Sequence, residues 1–177
     1  MDETIKRIKS AVDSFILEDS ELLEQDAHEA SITGHLMEHL AVEFDDFEYN
    51  IDTQYNKMIL ENVLIKKEAE FLISSLPLNK WPENWEDDQE RALKAILPDI
   101  IFHDRASSNE NFIIIEVKKS TNKSKEDREW DILKLKEMTA GQLNYQFGVF
   151  IDFFTGAEFT TDNPYVLQLF QKGQLIM

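Results

Sequence analysis

The chain has 177 residues, of which 42% are hydrophobic, enough for the core of one globular domain over residues 1–177. It carries 35 acidic and 18 basic residues. The formal net charge of −17 argues against a broad nucleic-acid-binding surface, because phosphate backbones are bound largely through Lys and Arg. Cysteine is absent, which excludes disulfides, thiolate metal sites and cysteine nucleophiles.

The distribution of apolar residues predicts a soluble protein with no membrane partner. No apolar run approaches the ~20 residues that a membrane-spanning helix needs. The first residues, Met-Asp-Glu-Thr-Ile-Lys-Arg, lack the apolar segment of a signal peptide. We therefore expect a cytoplasmic location.

Helical spacing of apolar residues predicts two helices at the start of the chain, over 2–17 and over 20–44, with Ser20 as the N-cap of the second. Alternating apolar and polar residues then predict a strand over 47–57. Residues 58–65 form either its hairpin partner or its extension.

Two prolines and an acidic run in residues 76–90 predict an irregular insertion, which passes into a short helix that ends near Ala95. Two runs rich in β-branched and aromatic residues, 97–103 and 111–119, predict strands. The last elements are, in chain order, a helix over 127–138, a strand over 145–153 and a helix over 163–171, the last begun by Asn163-Pro164.

The two strands on either side of the polar segment 104–110 predict a hairpin with charged groups on one face. If the hairpin is centred on Ser107 and Ser108, Asp99 lies opposite Glu116. Opposed residues on antiparallel strands have Cβ atoms roughly 4.5–5.5 Å apart. Side chains alternate along a strand, so Lys118 shares the face of Glu116.

Such a cluster is typical of a metal-dependent catalytic site. Two carboxylates held close together repel each other, and a hard cation with oxygen ligands removes that penalty. Lys118 would then orient an attacking water or stabilise developing negative charge. The alternative is an ordinary ion pair at a strand end, between Glu116 and Lys118 or Lys119.

Pro98-Asp99 with Glu116-Val117-Lys118 resembles the motif of the PD-(D/E)XK nuclease superfamily. The likeness covers about residues 27–155. Its other segments are similar to the first core strand of small bacterial members, to their Asp-x-x-Lys-Leu helix start and to the strand that follows it, here residues 49–57, 131–135 and 145–151.

The resemblance implies an α/β restriction-endonuclease-like core, with a mixed central sheet flanked by helices in the order αβββαβ and an extra N-terminal helix. It also implies hydrolysis of a nucleic-acid phosphodiester, with DNA as the expected substrate and Mg²⁺ or Mn²⁺ as the cofactor. Asp99 and Glu116 would bind the metal, and Lys118 would be catalytic.

The resemblance also implies a third acid from the first core helix, and Glu29 is the candidate for a metal-binding and catalytic role. Glu29 lies seven residues before Leu36 and so projects close to the same apolar side of the helix. Lys119 and Lys134 are candidate nucleic-acid contacts. Lys134 is alternatively an exposed helix lysine paired with Asp131 or Glu137.

The charge is distributed unevenly along the chain. Residues 1–62 have 16 acids and 4 bases, whereas residues 99–136 have 8 of each. The second segment contains a basic strip, made of Lys118, Lys119, Lys123, Lys125, Arg128, Lys134 and Lys136. This strip either contacts phosphates or is a solvated face in which the neighbouring acids interleave.

Three further interpretations remain open. Asp52 is another possible site acid. His35-Leu36-Met37-Glu38-His39 matches H-x-x-E-H, an inverted zinc-protease pattern in which two histidines four apart on a helix share a zinc. The fold is alternatively a catalytically inactive interaction module, whose acidic surface binds a protein partner.

Overall fold

A computed structural model describes residues 3–60, 63–84, 86, 89–105 and 111–177 of the chain. Within these residues the protein is α/β, with three α-helices and a mixed sheet of six strands. The α/β class with a mixed central sheet, expected from the sequence, is therefore confirmed. The predicted Ser107-Ser108 centre of the hairpin lies outside the described residues.

The first two helices are α1 (Glu3–Glu24) and α2 (Glu29–Glu43). α1 is kinked at Asp19, whose φ and ψ are not helical, so a break lies directly before Ser20. The single second helix predicted over 20–44 is wrong, because a further break separates Glu24 from Glu29. α2 begins instead after His28, whose Nδ1 accepts a hydrogen bond from the Ala30 amide. No helix among the described residues has the length and apolar character to cross a membrane.

The strands and the third helix follow in chain order. They are β1 (Asn50–Thr53), β2 (Lys57–Leu60), β3 (Val63–Lys66), β4 (Glu68–Leu72), β5 (Arg91–Ala95), β6 (Ile100–His103), β7 (Asn111–Lys119), α3 (Lys125–Ala140), β8 (Phe147–Phe153), β9 (Tyr165–Gln171) and β10 (Gln174–Leu175). The main sheet has the order β1-β6-β7-β8-β9-β10. Only β7 and β8 pair in parallel within it, and α3 makes the crossover between them.

Three secondary-structure predictions are wrong. Residues 58–65 are neither a partner nor an extension of β1, because β2 and β3 pair with each other. The helix expected to end near Ala95 is strand β5, which pairs with β4. The helix expected over 163–171 is strand β9: its pairing with β8 through six residue pairs overrides the local helix-start signal of Asn163-Pro164.

The register of the central hairpin is as predicted. Ile100 pairs with Ile115, Ile101 with Ile114 and Phe102 with Ile113, so Asp99 and Glu116 occupy the next opposed positions. An irregularity after Phe102 shifts the pairing at the far end of the hairpin. The end that carries the charged residues therefore keeps the register that the alternation of side chains requires.

Two apolar cores cover the two faces of the sheet. From β7, Ile113, Ile115 and Val117 pack into the core formed with α1 and α2, whereas Ile114 packs into the core formed with α3. Because side chains alternate along the strand, Glu116 and Lys118 face α3. The candidate site is thus on the sheet face that α3 covers.

The core beneath α1 gives a test of this packing. Phe15 is fully buried and makes an edge contact with Phe153, with ring centroids 5.3 Å apart. We expect Phe15→Ala to lower the free energy of unfolding by about 3–5 kcal/mol, measured by urea denaturation. Leu17→Ala on the same helix is the control, since Leu17 is 83% exposed and its loss should change stability by less than about 0.5 kcal/mol. Equal losses for the two variants would contradict the packing.

Candidate active site

Strands β6 and β7 bring the first two acids of the candidate site together. Asp99 directly precedes β6, and its Oδ2 accepts a hydrogen bond from the Val117 amide of β7 at 2.8 Å. Glu116, the residue before Val117, is 1% exposed. The antiparallel pairing therefore places two carboxyl groups side by side on a buried sheet face.

Helix α3 contributes two more charged groups to this face. Ser124 begins the helix by accepting a hydrogen bond from the Asp127 amide. Further along the helix, the buried Lys134 places its Nζ 2.8 Å from Glu116 Oε1 and 2.8 Å from Asp131 Oδ1. The helix thus supplies a cation, Lys134, and a further acid, Asp131.

Lys118 links the sheet to both flanking helices. Its Nζ lies 2.9 Å from Asp131 Oδ2 on α3 and donates a hydrogen bond of 3.1 Å to Glu29 Oε1 at the start of α2. The structure therefore brings together all four residues that the sequence analysis assigned to catalysis. We use the name carboxylate–lysine cluster for the six residues Glu29, Asp99, Glu116, Lys118, Asp131 and Lys134.

Asp131 was not predicted as a site residue, although it begins the Asp-x-x-Lys-Leu segment 131–135 and was considered as a partner of Lys134. A signal for it exists in the sequence. Asp131 lies four and seven residues before Leu135 and Met138, both buried, so it is an acid on the apolar stripe of α3. A charged residue at such a position requires a partner in the folded protein.

The predicted alternative that Lys134 is an exposed helix lysine is wrong, because its side chain is only 7% exposed. Lys119, in contrast, points to the opposite face of β7. Its Nζ bonds to Asp26 Oδ1 at 2.9 Å and to the carbonyl oxygens of Asp26 and Ala27. The structure does not bring Lys119 into the cluster, and its contact with nucleic acid stays a prediction.

Several other cations of the basic strip form ion pairs with acidic residues. Lys123 pairs with Glu158, and Lys125 pairs with Glu129. Arg128 holds Asp152 through two nitrogens, at 2.9 and 3.0 Å. These contacts favour the interpretation that acids interleave with the strip, and they leave few of its cations open to phosphate.

The two remaining sequence candidates lie outside the cluster. Asp52 accepts hydrogen bonds from His103 Nε2 at 2.9 Å and from Arg105. In the H-x-x-E-H segment, His35 and His39 both contact Asp19, at 3.2 and 2.9 Å. The two histidines thus share a carboxylate of α1, which gives them a partner without a zinc ion.

The cluster has more negative than positive charge. Its four acids and two lysines carry a formal charge of −2 when all are ionised. Glu116 Oε1 and Asp131 Oδ2 are buried and lie within ion-pair distance of lysines, but neither contact has hydrogen-bond geometry. A buried oxygen without a hydrogen-bond donor is costly, so the cluster can accept a further cationic partner.

Burial disfavours the ionised form of three of these acids, Glu116, Asp99 and Glu29. Desolvation raises the pKa of Glu116 well above its ordinary value, and the nearby Asp131 and Asp99 add to the rise while Lys134 opposes it. Burial likewise raises the pKa of Asp99 and of Glu29.

The pKa values of the two lysines are also raised, and for an amine this favours the charged form. Burial alone would lower the pKa of Lys118, but Asp131, Asp99 and Glu29 together raise it above the ordinary value. The pKa of Lys134 is also raised, because Glu116 and Asp131 outweigh desolvation. Both ammonium groups therefore stay charged at neutral pH.

The cluster is compatible with a divalent cation that keeps part of its coordination for water and substrate. Among the described residues, no three His, Cys, Asp or Glu side chains are arranged to hold a metal ion by themselves. Mg²⁺ usually takes only one or two carboxylates and fills its other positions with waters and substrate phosphates. Asp99 and the under-bonded Glu116 Oε1 provide such ligands.

No protein-family model, curated protein or solved structure matches the chain. The function is therefore inferred from the geometry and the charges of the cluster.

The raised pKa of Glu116 predicts how a glutamine variant behaves with pH in metal-free buffer. At acidic pH, Glu116 is protonated in both the folded and the unfolded protein. As the pH rises above the ordinary pKa of 4.5, the unfolded protein releases this proton while the folded protein retains it. This difference lowers the free energy of unfolding of the wild type. We expect Glu116→Gln to gain stability relative to wild type as pH rises from 4 to 7, measured by urea denaturation.

The exposed Glu48 provides the matched control for this measurement. Glu48→Gln should show a stability difference from wild type that stays nearly constant over the same pH range, because its side chain lies in solvent. A flat difference for Glu116→Gln as well would contradict the raised pKa.

Proposed function

We propose that the protein is a PD-(D/E)XK-type nuclease that hydrolyses phosphodiester bonds of nucleic acid, with DNA as the expected substrate and Mg²⁺ or Mn²⁺ as the cofactor. The observation that carries the proposal is the convergence of Glu29, Asp99, Glu116 and Lys118 from a helix and two strands. The chain order α2, β1, β6, β7, α3, β8 supports the implied αβββαβ core, with β2 to β5 as an insertion.

Each residue of the cluster has a distinct role in this proposal. Asp99 and Glu116 would hold the metal, with Glu29 as a third acid at the open end of the cluster. The bound metal supplies polarisation of the phosphate and a lowered pKa for its water. The excess negative charge of the site suits a divalent cation, since the two lysines leave two of the four acids uncompensated.

Lys118 would act on the reacting groups. Its ammonium group is held between Glu29 of α2 and Asp131 of α3, so its direction is set by two helices. From this position it donates a hydrogen bond to the attacking water or to the negative charge that develops on the phosphate. A fixed donor of this kind acts without reorganisation during the reaction.

A second candidate function is an interaction module without catalysis. It is favoured by the acidic charge of the first 62 residues and by the acids that occupy the basic strip. An acidic surface of this kind suits a basic protein partner, to which it gives electrostatic attraction. The metal-binding and cleavage measurements below separate the two functions.

The metal role of Glu116 is tested by calorimetric titration of Mn²⁺ at neutral pH. We expect one site in the wild-type protein that Glu116→Gln loses, because the variant replaces a charged oxygen ligand by an amide. Glu48→Gln should bind as the wild type does. Cleavage of single-stranded, duplex and supercoiled DNA with Mg²⁺ should be lost alongside metal binding in Glu116→Gln. Absence of a Glu116-dependent site in the wild type would sink the catalytic proposal.

The role of Lys118 is tested by separating metal binding from turnover. Lys118→Met should reduce the cleavage rate by about 10²–10³-fold, because it removes one donor to the developing charge. Mn²⁺ binding should persist, since Lys118 contributes no metal ligand. A variant that loses metal affinity and keeps its turnover at saturating metal would contradict this assignment. Lys6→Met, which removes an exposed lysine of α1, is the control.

A further inference from the structure

Lys134 lies where the proposed metal ligand is least satisfied. Its ammonium group is 2.8 Å from Glu116 Oε1, the buried oxygen that lacks a hydrogen bond. It is equally close to Asp131 Oδ1, and its side chain is 7% exposed. In the metal-free protein, Lys134 is therefore the direct positive charge on Glu116.

An ammonium group and a divalent cation compete for the same carboxylate. Glu116 is 1% exposed, so its ionised form is costly unless a cation lies beside it, and Lys134 is the cation in contact with it. If a metal binds Glu116 Oε1, Lys134 can no longer hold that oxygen at its present distance. The two ammonium contacts have the same length of 2.8 Å, so loss of the Glu116 contact leaves Lys134 with an equally close partner in Asp131.

Asp131 gives Lys134 a second anchor that does not depend on Glu116. The two residues are one helical turn apart on α3, so their contact moves with the helix and not with the sheet. The other oxygen of Asp131 lies 2.9 Å from Lys118. One carboxylate thus keeps both lysines of the cluster in position.

We propose that Lys134 is an internal counter-ion, which neutralises Glu116 in the metal-free protein, gives up this carboxylate to a divalent cation and stays in the site through the positioning residue Asp131. This inference rests on the proposed function in that it takes Glu116 as the metal ligand. It adds that metal entry is an exchange of one cation for another, so that Lys134 lowers metal affinity.

The test measures metal affinity and metal-dependent stability without an assay of activity. Lys134→Gln removes the charge and keeps donors for Glu116 and Asp131, and Lys134→Met removes both. Lys136→Gln, on the exposed side of the same helix, is the control for the change in net charge. Mn²⁺ is titrated by calorimetry into each variant, and the relevant site is defined as the binding that Glu116→Gln loses.

We expect Lys134→Gln to bind Mn²⁺ about tenfold more tightly than wild type, because the competing charge beside Glu116 is gone. Its melting temperature in metal-free buffer should fall, and Mn²⁺ should restore it by a larger increment than in wild type. Lys136→Gln should match the wild type in both measurements. Asp131→Asn should weaken Mn²⁺ binding. Glu116 is then the only carboxylate that Lys134 contacts, so Lys134 competes more strongly with the metal for it.

The outcomes separate this inference from the proposed function. Unchanged or weaker Mn²⁺ binding in both Lys134 variants would overturn the inference, while a Glu116-dependent site in the wild type would leave the metal-dependent function standing. Absence of that site in wild type and Lys134 variants alike would overturn both. If Lys134→Met does not fold without metal, the Lys134→Gln titration decides between these outcomes.

Discussion

The burial of the Glu116 carboxyl is the constraint on which the site depends. A charged group on a central strand has to be neutralised by partners that the fold brings from elsewhere. Helix α3 supplies Lys134 for this purpose and must therefore pack close to the sheet. Gly148 on β8 permits that approach, because a Cβ there would lie 3.1 Å from Thr139 and 3.3 Å from Leu135, both on α3.

The two faces of strand β7 contact different kinds of surroundings, an apolar core on one side and an ionic cluster on the other. Ile113, Ile115 and Val117, which face α1 and α2, are apolar and fully buried, and they join the larger core. On the opposite face, Glu116 and Lys118 belong to the carboxylate–lysine cluster. Because the strand is held firmly from its apolar side, the charged side chains stand in fixed positions on the other side. A fixed arrangement of this kind is what electrostatic catalysis requires.

The sequence predicted the hairpin register and three of the four acids, because alternation along apolar strands restricts where charged residues can point. It failed where tertiary pairing decides the structure. Asn163-Pro164 is a helix-start signal, yet the segment after it forms a strand along β8. Asp131 looked like a surface partner of a helix lysine, because nothing local indicates that Lys118 from β7 would also reach it.

The cost of the cluster favours chemistry over a purely structural role. Buried ion pairs contribute little net stability, and well-packed apolar residues of similar volume often replace them at no loss. Here four acids and two lysines occupy one sheet face, with two buried oxygens that lack hydrogen bonds. A binding module that uses its acidic helices would need none of these groups. A site that handles a cation and a phosphate uses carboxylates for the cation and an ammonium group for the phosphate, which is why we place catalysis before interaction.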